Sequence, residues 1–199
     1  MPHSQKMNNI LEKDGFAYYF PHFLDEVTSN IYFQNILKST KWLHNEIKIF
    51  GKTFKEPRLS CWFAEKNVEY RYSGLDLTPN EFTSPLNEIK KLCEFSCEEK
   101  FNSALVNLYR DGKDSMGFHR DNEKSLGDES LIASISLGES RKFQIKHKTD
   151  KRLNKSIELS NGSLLIMGGS MQEYWYHGLA KSKKELDPRI NITFRNIKS

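Results

Sequence analysis

The chain has 199 residues, with 30 lysines and arginines against 26 aspartates and glutamates, and three cysteines. That length buries one full core and no change of composition divides it, so a single domain over residues 1–199 is expected. Cys61, Cys93 and Cys97 make neither a disulfide framework nor a zinc-type pair of pairs, and no apolar run reaches membrane-spanning length. A soluble intracellular protein without a membrane partner is therefore expected, cytoplasmic in a prokaryote and nuclear in a eukaryote; a monomer is the default expectation.

In chain order, Asp25 can cap a helix whose apolar face carries Val27, Ile31, Tyr32 and Ile36, ending near "KST". Ser84 and Pro85 signal a second helix, the serine as cap and the proline in the first position, with Leu86, Ile89, Leu92 and Cys93 as its apolar face. Cys93 and Cys97, one helical turn apart, read as core thiols. After Phe101 the period becomes two. Ala104, Val106 and Leu108 alternate with Leu105, Asn107 and Tyr109, and "SLIASISL", "RKFQIKH", "KSIELS", "SLLIMG", "EYWYHG" and "RINITFRNI" follow as strands. Two helices ahead of many strands predict a mainly β fold, a sandwich or barrel with helical support. Basic residues cluster from Arg141 to Lys155 and again at Lys181, Lys183 and Lys184. This is either a phosphate-contacting surface or a solvated hairpin.

The chemistry begins at "GFHRDNE". If that stretch opens on a strand, His119 and Asp121 face the same way and can share one ion, with His177 of "YWYHGL" as a third ligand from another strand. Two histidines and a carboxylate leave three positions open on an octahedral ion, as in non-haem Fe(II) oxygenases. Zinc hydrolases use similar ligands, so the triad alone does not select iron.

The last strand adds a second requirement. In "RINITFR", Ile190, Ile192 and Phe194 lie on one face, while Arg189, Asn191, Thr193 and Arg195 lie on the other. If the polar face points inward, two buried cations need a counter-charge. A small dicarboxylic acid would supply one at each end, because the guanidinium fork matches a carboxylate. Asn107 and Tyr109 share a face of their own strand and can complete such a pocket.

Taken together, "NLYRDG", "GFHRDNE", "ASISLG", "GSLLIMGG", "YWYHGL" and "PRINITFR" resemble, in order, the AlkB-type dioxygenases that depend on Fe(II) and 2-oxoglutarate. The resemblance covers nearly the last hundred residues and implies a double-stranded β-helix jelly roll over about residues 101–199. About residues 1–100 would form helical support and a nucleotide-recognition lid. It also implies Fe(II) on His119, Asp121 and His177, with 2-oxoglutarate and O2 as cosubstrates. The keto acid end would lie near Asn107 and Arg195, and the distal carboxylate on Arg189 with help from Tyr109, with Asn191 and Thr193 lining the pocket.

Upstream, "IKIFGK", "PRLSCWF" and "YRYSGL" are similar to the lid of the AlkB homologues that repair double-stranded DNA. Carried over, Phe50 with Gly51 and Lys52 would be a wedge entering the duplex. Tyr70 and Tyr72, alternating with Arg71, would stack on an everted base, and Asn122 and Glu123 would approach its edge. Tyr72 stands where relatives often carry phenylalanine and Asn122 where they often carry a second aspartate, which keeps shape and changes hydrogen bonding. The implied activity is oxidative demethylation of 1-methyladenine and 3-methylcytosine in duplex DNA, a DNA repair reaction that releases formaldehyde, succinate and CO2. The alternatives are the same chemistry on RNA or single-stranded DNA, or a non-catalytic nucleic acid-binding module on the same barrel.

Overall fold

A computed structural model describes residues 8–49, 51–66, 68, 70–72, 75–77, 79–127 and 130–198. The first half contains β1 (Phe16–Phe20), α1 (Glu26–Ser39), a hairpin of β2 (Glu46–Ile49) and β3 (Lys52–Lys55), and β4 (Leu59–Ala64). It continues with the short β5 (Tyr70–Tyr72) and β6 (Leu75–Leu77), then α2 (Ser84–Cys97). The second half runs β7 (Ser103–Tyr109), β8 (Met116–His119), β9 (Ile132–Gly138), β10 (Arg141–His147), β11 (Asn154–Leu159) and β12 (Ser163–Gly168). A single-turn helix α3 (Met171–Tyr174), β13 (Trp175–Leu179) and β14 (Arg189–Arg195) complete it.

The larger sheet has the order β1-β12-β9-β14-β7-β4 and the smaller β11-β10-β13-β8, and each pairing within them is antiparallel. One core lies between the sheets, where Ile145, Leu159 and Trp175 meet Ala17, Ile132, Leu165 and Met167. A second lies behind the larger sheet, where Ile36 of α1 and Leu86, Ile89 and Cys93 of α2 pack on Val106, Ile135, Ile190, Ile192 and Phe194. With both faces covered, β7 and β12 are buried along their whole length. Two antiparallel sheets with helical support make the mainly β fold that the alternating strands predict, and its type is the jelly roll that the resemblance implies.

Several local expectations shift. Asp25 does cap α1, accepting from the Thr28 backbone N–H at 2.9 Å. Yet Val27 is 70% and Ile31 55% exposed, because the helix turns Ser29 and Ile36 inward with Tyr32, Phe33 and Leu37 half-buried beside them. The cap of α2 is Thr83 rather than Ser84, whose hydroxyl instead reaches Glu88. Leu92 is 42% exposed and does not join the apolar face. Glu173 and Tyr174 of the expected strand "EYWYHG" belong to α3. The larger sheet also takes β1 and β4 from before residue 101. Among the described residues no helix is long and apolar enough to cross a membrane.

The end of α2 carries a testable ion cluster. Glu94 accepts from the Phe101 backbone N–H at 3.0 Å and pairs with Lys90 at 3.0 Å and Lys100 at 3.2 Å. Burial alone would raise its carboxyl, but that N–H and the two ammonium groups hold it below its ordinary value of 4.5. A depressed folded pKa stabilises above the unfolded value and is lost as pH falls through the folded one. Glu94→Gln should therefore cost about 1 kcal/mol at pH 7 by denaturant melts, a difference that disappears in acid.

Candidate metal centre

His119 closes β8 and pairs directly across the smaller sheet with His177 of β13. Their rings meet edge to face at 4.4 Å, and His119 Nε2 lies 3.6 Å from Asp121 Oδ1. One ligand atom from each of the three residues falls within 4.8 Å of the others. An ion with bonds of about 2.1 Å needs neighbouring ligand atoms roughly 3 Å apart, so a small closure seats one.

The protonation states suit a cation. Burial, then the neighbouring His119, pushes His177 down to about 3, so its imidazole is neutral at physiological pH. His119 Nδ1 lies 3.0 Å from the carbonyl of Gly117. A carbonyl only accepts, so Nδ1 is the donor in this contact, and Nε2 is the nitrogen that faces Asp121. Burial would raise Asp121, but the Arg195 guanidinium, with Nη2 2.9 Å from Oδ1, outweighs it and holds the carboxylate at about 2. Nε2 of His119, the neutral imidazole of His177 and the Asp121 carboxylate form a donor set that fits a divalent ion.

Beside the triad lies a pocket, partly open to solvent, lined by the polar face of β14. Antiparallel register puts Arg189 opposite Tyr109 and Asn191 opposite Asn107 on β7, with Ser136 and Ser134 of β9 across from Asn191 and Thr193. Arg189 Nη2 donates to Ser136 Oγ at 2.9 Å and its guanidinium lies 5.3 Å from the Tyr109 ring centre. Asn191 Nδ2 donates to Ser134 Oγ at 2.8 Å, and Thr193 Oγ1 donates to Asn191 Oδ1 at 3.2 Å. Arg189 is only 2% exposed, its Nε has no hydrogen-bond partner, and among the described residues it makes no ion pair. Burial pushes it down to about 10, which leaves it a cation at neutral pH. A buried cation without a counter-ion is costly, and a carboxylate entering the pocket would relieve it.

The structure thus brings His119, Asp121, His177, Asn107, Tyr109, Arg189, Asn191, Thr193 and Arg195 to one pocket. Asn122, exposed, and Glu123, half-buried, line an adjoining cleft with Asp121, Gly169, Ser170 and Gln172. Gly51, at φ +75°, and exposed Lys52 stand at the turn of the β2–β3 hairpin. Phe50 lies outside the described residues. Tyr70, Arg71 and Tyr72 form β5, paired only with β6 among the described strands.

Other polar members were not anticipated. Ser134 and Ser136 could have been found from their alternation in "ASISLG". Arg58, buried against Glu56 at 2.8 Å, donates to Asn107 Oδ1 at 3.0 Å, a contact across the fold with no local signature. Arg141, the first of the basic run, is not on the surface. It is buried and donates to the carbonyls of Asp111, Asp114 and Ala180.

Comparison with known proteins supplies the family. Residues 16–195 match the model of the 2OG-Fe(II) oxygenase superfamily. The chain is 39% identical over 160 residues to the DNA oxidative demethylase ALKBH2 of Mus musculus, covering 76% of this chain and 66% of that one. It is 34% identical over 187 residues to the alpha-ketoglutarate-dependent dioxygenase alkB homolog 3 of Homo sapiens, covering 89% of this chain and 65% of that one. It thus spans about two thirds of the length of these curated relatives. The solved structure of OsALKBH1 shares the fold with a TM-score of 0.66 at 17% identity, covering 90% of this chain and 97% of that one. The chain belongs to the 2OG-Fe(II) oxygenase superfamily and, within it, to the AlkB-type dioxygenases.

Proposed function

We propose that the chain oxidatively removes N-methyl groups from 1-methyladenine and 3-methylcytosine in DNA, with duplex DNA as its main substrate. The observation that carries this reading is the meeting of three metal-ligand side chains in one pocket with a buried Arg189 that makes no ion pair among the described residues. Fe(II), with 2-oxoglutarate and O2 as cosubstrates, supplies the oxidising power there. His119, Asp121 and His177 hold the ion from one side, and Arg195 steadies Asp121. Arg189, fixed by Ser136 and the Tyr109 ring, takes the distal carboxylate of 2-oxoglutarate. Asn191 and Thr193 line its path, and Asn107, oriented by Arg58, lies toward the keto acid end. The methyl carbon is hydroxylated, and the resulting N-hydroxymethyl group sheds formaldehyde, leaving the unmodified base.

DNA as substrate draws on the relatives named DNA oxidative demethylase. Extruding a base costs a few kcal/mol, least where methylation already prevents pairing. On this reading, residues ahead of the catalytic core serve extrusion: Phe50, with its sequence neighbours Gly51 and Lys52, wedges the duplex. Tyr70 and Tyr72 stack on the base for about 1–3 kcal/mol each, Arg71 meets the backbone, and Asn122 and Glu123 read the base edge. Mass spectrometry of duplex DNA, single-stranded DNA and RNA, each carrying one 3-methylcytosine, tests this. The duplex should be turned over fastest, and Phe50→Ala should slow it more than the single strand. Equal losses on both would remove the wedge, and a faster RNA reaction would change the substrate class.

A further inference from the structure

The H-x-D spacing suggests that one strand brings His119 and Asp121 to a common face, but β8 stops at His119. Asp121 follows in non-strand backbone, and while Arg195 meets its carboxylate, a contact outside the sheet must fix its main chain. Helix α3 supplies it. The Asp121 backbone N–H donates to Gln172 Oε1 at 3.0 Å in a buried bond, and Arg120 Nη1 donates to the carbonyl of Glu173 at 2.6 Å. The Arg120 guanidinium also lies 5.1 Å from the ring centre of Tyr176. Because α3 runs directly into β13, the segment that clasps Arg120 and Asp121 also carries His177.

The clasp is firmly seated. Met171 is fully buried, and at Gly15, φ +111°, an added Cβ would lie 2.4 Å from the Met171 backbone nitrogen. Backbone approach that close admits only glycine. Gln172 is 6% exposed, and its buried Nε2 has no hydrogen-bond partner among the described residues. An unmade buried donor costs about 1–3 kcal/mol, so this amide is a poor choice for packing alone; its useful end is Oε1.

We propose that Gln172 is a positioning residue of the metal centre: by accepting the Asp121 backbone N–H it sets where the carboxylate stands relative to His177, and hence the metal affinity. The proposal rests on reading His119, Asp121 and His177 as the metal ligands. Outer contacts that orient ligands are worth about 10–100-fold in metal affinity.

The test is a Co(II) titration of the full chain followed by visible absorption, which reports ligand geometry as well as affinity. Gln172→Leu, near in volume but without an acceptor, should bind Co(II) about 10–100-fold more weakly and with shifted absorption bands. Gln172→Glu, which keeps an oxygen in place, should restore both affinity and bands. Should the leucine variant not fold, Gln172→Asn, which withdraws the oxygen by one methylene, should show the same loss. A leucine or asparagine variant that matches the unaltered chain, or a glutamate variant that loses as much as leucine does, would overturn the proposal. An unaltered chain that binds no Co(II) would instead overturn the metal assignment beneath it.

Discussion

Arg189→Leu is expected to abolish 2-oxoglutarate binding while leaving the ligand-free protein at least as stable as before. The guanidinium is buried with Ser136 and the face of Tyr109 as neighbours, and among the described residues no carboxylate pairs with it. Removing one partner of a buried charge pair costs about 2–5 kcal/mol of binding, which is roughly 30- to several-thousandfold in affinity. In the empty pocket the same cation is a liability. Replacing buried charge by a packed hydrophobe is often neutral or stabilising by about 1–4 kcal/mol. Calorimetric titration with 2-oxoglutarate, beside thermal melts with and without it, separates the two effects. If the variant bound 2-oxoglutarate normally, or lost several kcal/mol of stability without ligand, Arg189 would be a structural cation and not the anchor of a dicarboxylate.

His119→Ala should eliminate metal binding and turnover without unfolding the chain. The side chain is 29% exposed at the end of an edge strand, so its removal opens a gap that water can fill. His177, by contrast, is buried against Phe143, and its truncation would mix ligand loss with cavity formation. Since outer contacts alone are worth about 10–100-fold, losing a ligand should weaken metal binding by more than about 100-fold. Circular dichroism of the metal-free variant should match the unaltered chain. Metal affinity surviving in His119→Ala would require a different ligand set.

Much of this was legible because strands report their faces by alternation. "RINITFR" separates an arginine-bearing face from an apolar one, and the structure turns the first to the pocket and the second to the helix-packed core. Two strands were harder to read. "FAYYF" and "LSCWFA" are nearly continuous apolar runs without a period, yet they become β1 and β4 of the larger sheet. The triad was readable as a set but not in its mechanics. Asp121 lies past the end of β8; Arg195 holds its carboxylate, and its backbone N–H is held by Gln172, 51 residues downstream. The Glu56–Arg58–Asn107 contact is hidden for the same reason, since charged residues of ordinary appearance become informative only when burial removes water from both. Iron itself was not in the spacing. A His/Asp/His set also suits zinc, and the arginine face and the family resemblance separate the two.

The most direct measurement supplies the chain with Fe(II), ascorbate, 2-oxoglutarate and duplex DNA bearing a single 3-methylcytosine, and quantifies formaldehyde, succinate and repaired cytosine together. The three should rise in equal amounts and should all be absent with His119→Ala. Succinate formed without loss of the methyl group, or no turnover of any methylated oligonucleotide by a chain that binds both metal and 2-oxoglutarate, would contradict the proposed function.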